Sequence, residues 1–152
     1  MVPYDGILEN IQAMAVMLPD GDEFFSRVVR TLRQRVPHYN WVGIYRLKLD
    51  GKTLVLGPWD GPAPTEHTEI PVAQGICGAA VREARTIIVD DVNKDSRYLS
   101  CFLNTRSEIV VPIFKDDKVI GEIDIDSDGV AAFTADDRTF LESVAEVLSS
   151  RA

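Results

Sequence analysis

The sequence predicts an α+β domain: a central antiparallel β-sheet, helices from the two ends of the chain on one face, and a loop-covered ligand pocket on the other. Three observations carry this. Turn signals at Asp50-Gly51 and Asp116-Asp117 each sit between two strand-like stretches, which makes two hairpins. Amphipathic helical patterns occupy both ends of the chain. Residues 57–107, between the hairpins, hold only short elements and are left to roof the remaining sheet face.

Ile7, Ile11, Met14 and Leu18 recur at helical spacing and make the first helix, which ends at Pro19-Asp20-Gly21. A second helix starts near Asp22, carries Phe25, Val28, Val29, Leu32 and Val36 on one side, and stops at Pro37. Its Arg27, Arg30, Arg33 and Arg35 fall elsewhere and read as a solvated face. Residues 40–49 (NWVGIYRLKL) form a strand that returns as 52–56 (KTLVL). Residues 57–64 (GPWDGPAP) are expected to be irregular. A short strand follows at 69–72, then a short helix opening at Gly75 and running through Ala84. Residues 86–89 form another strand, closed by Asp90 and Asp91. Residues 93–105 are polar and irregular and hold Cys101. Residues 108–114 and 118–125 form the second hairpin. Thr134, with Asp136 and Asp137, caps a last helix whose apolar face is Phe140, Leu141, Val144, Val147 and Leu148. No repeat, linker or low-complexity segment divides the chain, so residues 1–152 form one domain.

Composition sets bounds on function. A chain of 152 residues, 45% hydrophobic and 26% charged, builds one ordinary globular core. Its net charge of -8 argues against nucleic acid or an anionic membrane as partner. No apolar run approaches the roughly 20 residues of a membrane span. Met1 to Asp5 lacks the basic and apolar regions of a secretory signal, so a reducing cytoplasm with both cysteines as thiols is expected. Two cysteines and two histidines, well separated, argue against a structural zinc site, and no bound metal or cofactor is expected. A homodimer is left open.

The chemistry is concentrated in the second hairpin. From Gly121 onward the alternation is strict, so Ile123 and Ile125 point one way and Glu122, Asp124 and Asp126 the other. Three acids on one strand face repel one another; such a row suits a wet face or a bound cation. Glu108 opens the partner strand. A two-residue turn at Asp116-Asp117 alone would put Glu108 opposite Ile125, on the wrong face. For Glu108 to join Asp124 and Asp126, the loop must have odd length or a bulge must shift the register.

Two thiols accompany the acids. Cys77 lies at the start of a short helix, where thiol pKa values are lowered; a small buried apolar role is the other reading. Cys101 lies in a polar loop upstream of Glu108, where nearby acids would raise its pKa. Trp41 and Tyr45, four apart on one strand, share a face; with Trp59 they form either an aromatic box for a methyl, sulfur or cationic group, or plain core.

These residues, in this order, resemble a GAF domain, and more closely the free methionine-(R)-sulfoxide reductases, which are single-domain GAF proteins. The matching stretches are NWVGIY (40–45), LVLGPWDG (54–61), IPVAQGICGAAV (70–81), SEIVVPI (107–113), VIGEIDIDS (119–127) and F-T-x-x-D at 133–137. The resemblance implies a thiolate attacking the sulfoxide sulfur, acids holding the substrate ammonium and protonating the departing oxygen, a second thiol resolving the sulfenic acid, and thioredoxin or another external thiol as reductant. By motif, Cys101 is the attacking thiol and Cys77 the GxCG cysteine. Glu108, Asp124 and Asp126 match the substrate-site carboxylates, Asp90 or Asp91 a further acid, and Trp41 and Tyr45 the pocket wall. The family's third cysteine is replaced by His67, and Glu122 stands where the family prefers an apolar residue. Arg97-Tyr98-Leu99 and Phe102 resemble generic GAF sensors.

The expectation is therefore reduction of free L-methionine-(R)-sulfoxide in an enclosed chamber large enough for an amino acid. The alternative is a non-enzymatic GAF sensor or binding domain for a small metabolite in signalling. Proximity of Cys77 and Cys101, with Cα atoms within about 7 Å, separates the two.

Overall fold

The computed structural model describes residues 1–100 and 102–152. Four helices and six strands follow in the order α1 (Tyr4–Met17), α2 (Gly21–Arg35), β1 (Trp41–Leu47), β2 (Thr53–Asp60), β3 (Glu69–Pro71), α3 (Gly75–Glu83), β4 (Ile87–Val89), a 3₁₀ turn (Val92–Lys94), β5 (Ser107–Lys115), β6 (Lys118–Ser127) and α4 (Ala135–Ser149). The strands form one antiparallel sheet in the order β3-β2-β1-β6-β5-β4, so the two hairpins meet along β1 and β6.

The helices of the two chain ends cover one face. Ile7 and Ile11 of α1, Phe24 to Leu32 of α2 and Phe140 to Leu148 of α4 pack on Val42, Ile44, Ile109, Val111, Ile113, Ile123 and Ile125. Alternation dictates this: the same strands send their intervening residues to the opposite face. That face carries a second, smaller apolar cluster, with Trp41, Tyr45, Leu54, Ile70, Ile87 and Val110 under Ile76, Cys77, Ala79 and Ala80 of α3. The roof is thus a short helix with loops around it.

Asp20, expected only to turn the chain, accepts hydrogen bonds from the amides of Asp22 and Glu23 and caps α2. The irregular stretch expected from Gly57 is instead strand as far as Asp60. Gly43 pairs with Trp59 while Tyr45 pairs with Leu56, so a bulge absorbs Gly57-Pro58 and pairing resumes beyond it.

The register of the second hairpin meets the condition read from the sequence. Asp116 and Asp117 both have positive φ (52° and 63°), as a two-residue hairpin turn requires. Phe114 pairs with Val119, but Ile113 pairs with Gly121; Ile120 is the extra residue. Beyond this bulge Glu108 sits opposite Asp126, on the same face.

Asp137 ties the ends of the chain together. Its Oδ1 accepts hydrogen bonds from Tyr4 (2.6 Å), Tyr39 (2.7 Å) and His38 (2.8 Å), and its Oδ2 accepts from the Thr134 amide (2.9 Å) in a capping box. Burial alone would raise this carboxyl. The hydrogen bonds from His38, Tyr4, Thr134 and Tyr39 outweigh burial and hold its pKa at about 2. A folded pKa below the unfolded value of 3.8 adds stability above that value, and the contribution is lost as pH falls toward about 2. The gain is about 2 kcal/mol. Asp137→Asn is expected to cost about that much at neutral pH and to flatten the dependence of the urea midpoint on pH across the acid range. A mutant whose midpoint fell in parallel with wild type below about pH 4 would contradict this.

Candidate functional site

The pocket face of the sheet has three cross-strand rows. Trp41 pairs with Asp126, which pairs with Glu108. Gly43 pairs with Asp124, which pairs with Val110. Tyr45 pairs with Glu122, which pairs with Pro112. Glycine at 43 has a steric reason: a Cβ there would lie 2.3 Å from the Trp41 ring, which lies across this position. The four acids are therefore clustered on the pocket face, and all are buried, none more than 5% exposed. Among the described residues no lysine or arginine is buried with them.

Cys77 faces this row from α3. Its sulfur and carboxylate oxygens of Glu108 and Asp124 all lie within 4.8 Å of one another. Gly75 makes the approach possible. It has φ of +74°, and a Cβ there would come within 2.9 Å of Leu99. His67 borders the same cavity. Tyr45 donates its hydroxyl proton to the His67 carbonyl at 2.6 Å, and His67 Nε2 lies 3.1 Å from the Ser100 carbonyl.

Burial dominates the electrostatics. It pushes the Cys77 thiol well up, and the charges of Asp124, Glu122 and Glu108 add to it. The lowered thiol pKa expected from a helix N-terminus is therefore reversed: desolvation and three carboxyl groups outweigh the helix end. Burial also pushes Glu122 well above the usual carboxylate range, assisted by Asp124 and opposed by contact with Cys77. Asp124 is raised by burial against hydrogen bonding to Glu108, contact with Cys77 and the charge of His67. Asp126 is pushed well up by burial and by Asp124, against a hydrogen bond to Glu108. Carboxyl groups hydrogen-bond to one another only by sharing a proton, so this cluster holds protons as well as charge. Both oxygens of Glu122 and one each of Asp124 and Asp126 lack a hydrogen-bond partner.

Aromatic rings wall one side. Trp41 stacks on Trp59 (centroids 6.2 Å, planes 12° apart) and meets Phe102 at 5.9 Å. Tyr45 and Trp41 do share the pocket face, and both are buried. Phe102 belongs to this wall although its sequence setting gave no such signal; only its position next to Cys101 could have drawn attention to it. Asp90 does not join the site. Its side chain is exposed, and its carbonyl accepts from the Ala131 amide. Asp91 is occupied in capping the 3₁₀ turn through the Asn93 amide. Cys101 lies outside the described residues, and so does its separation from Cys77. Its neighbours Ser100 and Phe102 border the site through His67 and Trp41.

The space is divided. The cavity among His67, Cys77, Leu99, Glu108 and Asp124 measures about 10 Å³, room for about one water. A separate open groove of about 490 Å³ runs past Trp41, Pro64, Phe102 and Asp126. In place of the single enclosed chamber expected from the sequence stand a wide groove and a small cavity beside it, with Leu99 and the Ile76 and Cys77 side of α3 lining the smaller one.

The pattern that defines the GAF domain matches residues 20–151. The chain belongs to the GAF domain family. The Saccharomyces cerevisiae protein named free methionine-R-sulfoxide reductase is 39% identical to it over 151 residues, covering 98% of this chain and 81% of its own. The structure is similar to that of free methionine-R-sulfoxide reductase from Neisseria meningitidis in complex with its substrate (TM-score 0.91, 32% identity, 97% of this chain and 87% of that one). It is also similar to the type II free methionine-R-sulfoxide reductase from Thermoplasma acidophilum (TM-score 0.81, 38% identity, 87% and 94%). Among the described residues no helix is long and apolar enough to cross a membrane.

Proposed function

We propose that this GAF protein is an oxidoreductase that reduces free L-methionine-(R)-sulfoxide to methionine, with thioredoxin or another thiol as the external reductant. The observation that carries the reading is the buried row Glu108, Asp124 and Asp126. One oxygen each of Asp124 and Asp126 lacks a hydrogen-bond partner, and no buried lysine or arginine accompanies the row among the described residues, so it asks for a cation such as a substrate ammonium. The aromatic wall of Trp41, Trp59 and Phe102 beside it suits a sulfur-bearing chain. Relatives of 32 to 39% identity carry the name of this activity.

In the proposed reaction the Cys101 thiolate attacks the sulfoxide sulfur. The oxygen takes a proton from the carboxyl cluster and passes to Cys101 as a sulfenic acid, and methionine leaves. Sulfur in the substrate gains two electrons and Cys101 loses two. A second thiol, Cys77 or an external one, then condenses with the sulfenic acid, releasing water and forming a disulfide that the reductant opens. Cys77 suits this second role better than the first, because its buried thiol holds its proton.

Reductase-coupled NADPH oxidation with thioredoxin, on each epimer of free methionine sulfoxide, tests the reading. Turnover on the R epimer and at least about 100-fold less on the S epimer is expected. Absence of turnover with thioredoxin and with small thiols, alongside retained binding of the sulfoxide, would instead make the protein a sensor for a small metabolite.

A further inference from the structure

We infer that His67, Cys77, Glu108 and Asp124 form a binding site for one divalent ion of the zinc class. The sequence argued against such a site by counting cysteines and histidines. That count left out carboxylates, and the fold adds two of them from neighbouring strands to the thiol of α3. The sulfur of Cys77 and oxygens of Glu108 and Asp124 lie within 4.8 Å of one another, and all three residues are buried. Ligands around tetrahedral zinc, with bonds of about 2.0–2.3 Å, stand about 3.5 Å apart, so small side-chain rotations close the set.

Independent features point to an ion as occupant. Asp124 is 3% exposed, borders the cavity, and has one oxygen with no hydrogen-bond partner. The cavity itself is about 10 Å³, too small for an amino acid yet sized for one water or ion. Glu122, in contact with Cys77, adds a third buried acid with both oxygens unpartnered. Together with Asp126 these groups concentrate carboxyl oxygens where the described residues supply no buried lysine or arginine.

His67 lines the same cavity but its ring nitrogens lie outside the 4.8 Å cluster, so it supplies the fourth ligand through a larger side-chain movement. With Nε2 donating to the Ser100 carbonyl at 3.1 Å, the imidazole lone pair lies on Nδ1, the arrangement in which a backbone carbonyl fixes the tautomer of a metal-binding histidine. A donor set of N, S, O and O, four ligands mixed in softness, suits zinc and its cobalt substitute better than magnesium or calcium. On binding, Cys77 gives its proton to solvent and binds as thiolate.

Metal binding does not rest on the reductase activity. If both hold, zinc occupies the carboxylates proposed for the substrate ammonium and blocks turnover. The test is titration of Co²⁺ into the reduced, metal-free chain, read by absorption with neither sulfoxide nor reductase present. One equivalent is expected to produce a thiolate-to-cobalt charge-transfer band and the visible bands of tetrahedral cobalt, both displaced by Zn²⁺. Cys77→Ser should remove the charge-transfer band, and Cys101→Ser should leave it. His67→Ala and Asp124→Asn should each weaken Co²⁺ binding at least about 10-fold; these two variants decide the matter if Cys77→Ser does not fold. No charge-transfer band in the wild type, a band that follows Cys101 instead of Cys77, or unchanged affinity in both His67→Ala and Asp124→Asn overturns the site. Since no turnover is measured, failure here leaves the reductase proposal standing, and an inactive protein that gives the cobalt spectrum leaves this one standing.

Discussion

Cys101→Ser is expected to abolish sulfoxide reduction, lowering single-turnover methionine formation by about 10³-fold or more. A serine hydroxyl keeps the volume of the side chain but does not attack sulfoxide sulfur to form a species that thiols can reduce. Cys77→Ser should behave differently. Its first turnover should stay near the wild-type yield, because the buried, protonated Cys77 thiol is not the attacking group. Its steady-state rate with thioredoxin should fall about 10-fold or more, since the sulfenic acid then waits for an external thiol. Rapid mixing with one equivalent of substrate, quenched and assayed for methionine, separates the two steps. Full single-turnover yield from Cys101→Ser would remove Cys101 from the attacking role. Equal loss of single-turnover yield in Cys77→Ser would show Cys77 acting before the resolving step.

The parts of this site that follow alternation were legible in the sequence. Glu122, Asp124 and Asp126 had to share a face with one another because strand period is two, and Ile123 and Ile125 had to lie opposite them in the helix-covered core. Trp41 and Tyr45 followed from the same rule. The need for a bulge before Glu108 could join the row was also arithmetic, although which residue would bulge was not. What stayed hidden depends on contacts between distant segments. Pairing of Trp59 with Gly43 carries β2 through Gly57-Pro58, against the local preference for irregular chain. Phe102 reaches Trp41 only after the roof has folded. The Cys77 thiol looks activated from its helix position alone, and becomes a raised, protonated thiol only when the fold buries it over Asp124, Glu122 and Glu108. Asp90 ended a strand as expected, yet strand β4 lies at the sheet edge and leaves its side chain in solvent.

Inserting one alanine between Gly121 and Glu122 should be among the most damaging changes to this protein, whereas deleting Ile120 should be tolerated. Ile120 is the residue that lets Ile113 meet Gly121 while Phe114 still meets Val119. Deleting it joins Val119 to Gly121, so Ile113 still meets Gly121 and Glu108 still meets Asp126 in an unbulged ladder. The inserted alanine instead takes the place opposite Pro112, moves every later residue of β6 along by one, and sets Glu108 opposite Ile125. Directly opposed residues share a face, so the Asp124 and Asp126 carboxylates and the Glu108 carboxylate would then point to opposite sides of the sheet. β6 cannot turn over to restore them, because Ile123 and Ile125 are fully buried under the helices and β1 holds β6 along Trp41 to Arg46. Either a second bulge is made or one set of acids enters the apolar core, at a cost of about 3 kcal/mol or more. The expected melting point is lower by about 10 °C, with loss of sulfoxide binding. The Ile120 deletion should lose little of either. An insertion variant that melts within a few degrees of wild type and still binds the sulfoxide would show that something other than the hairpin register brings Glu108 to the aspartates.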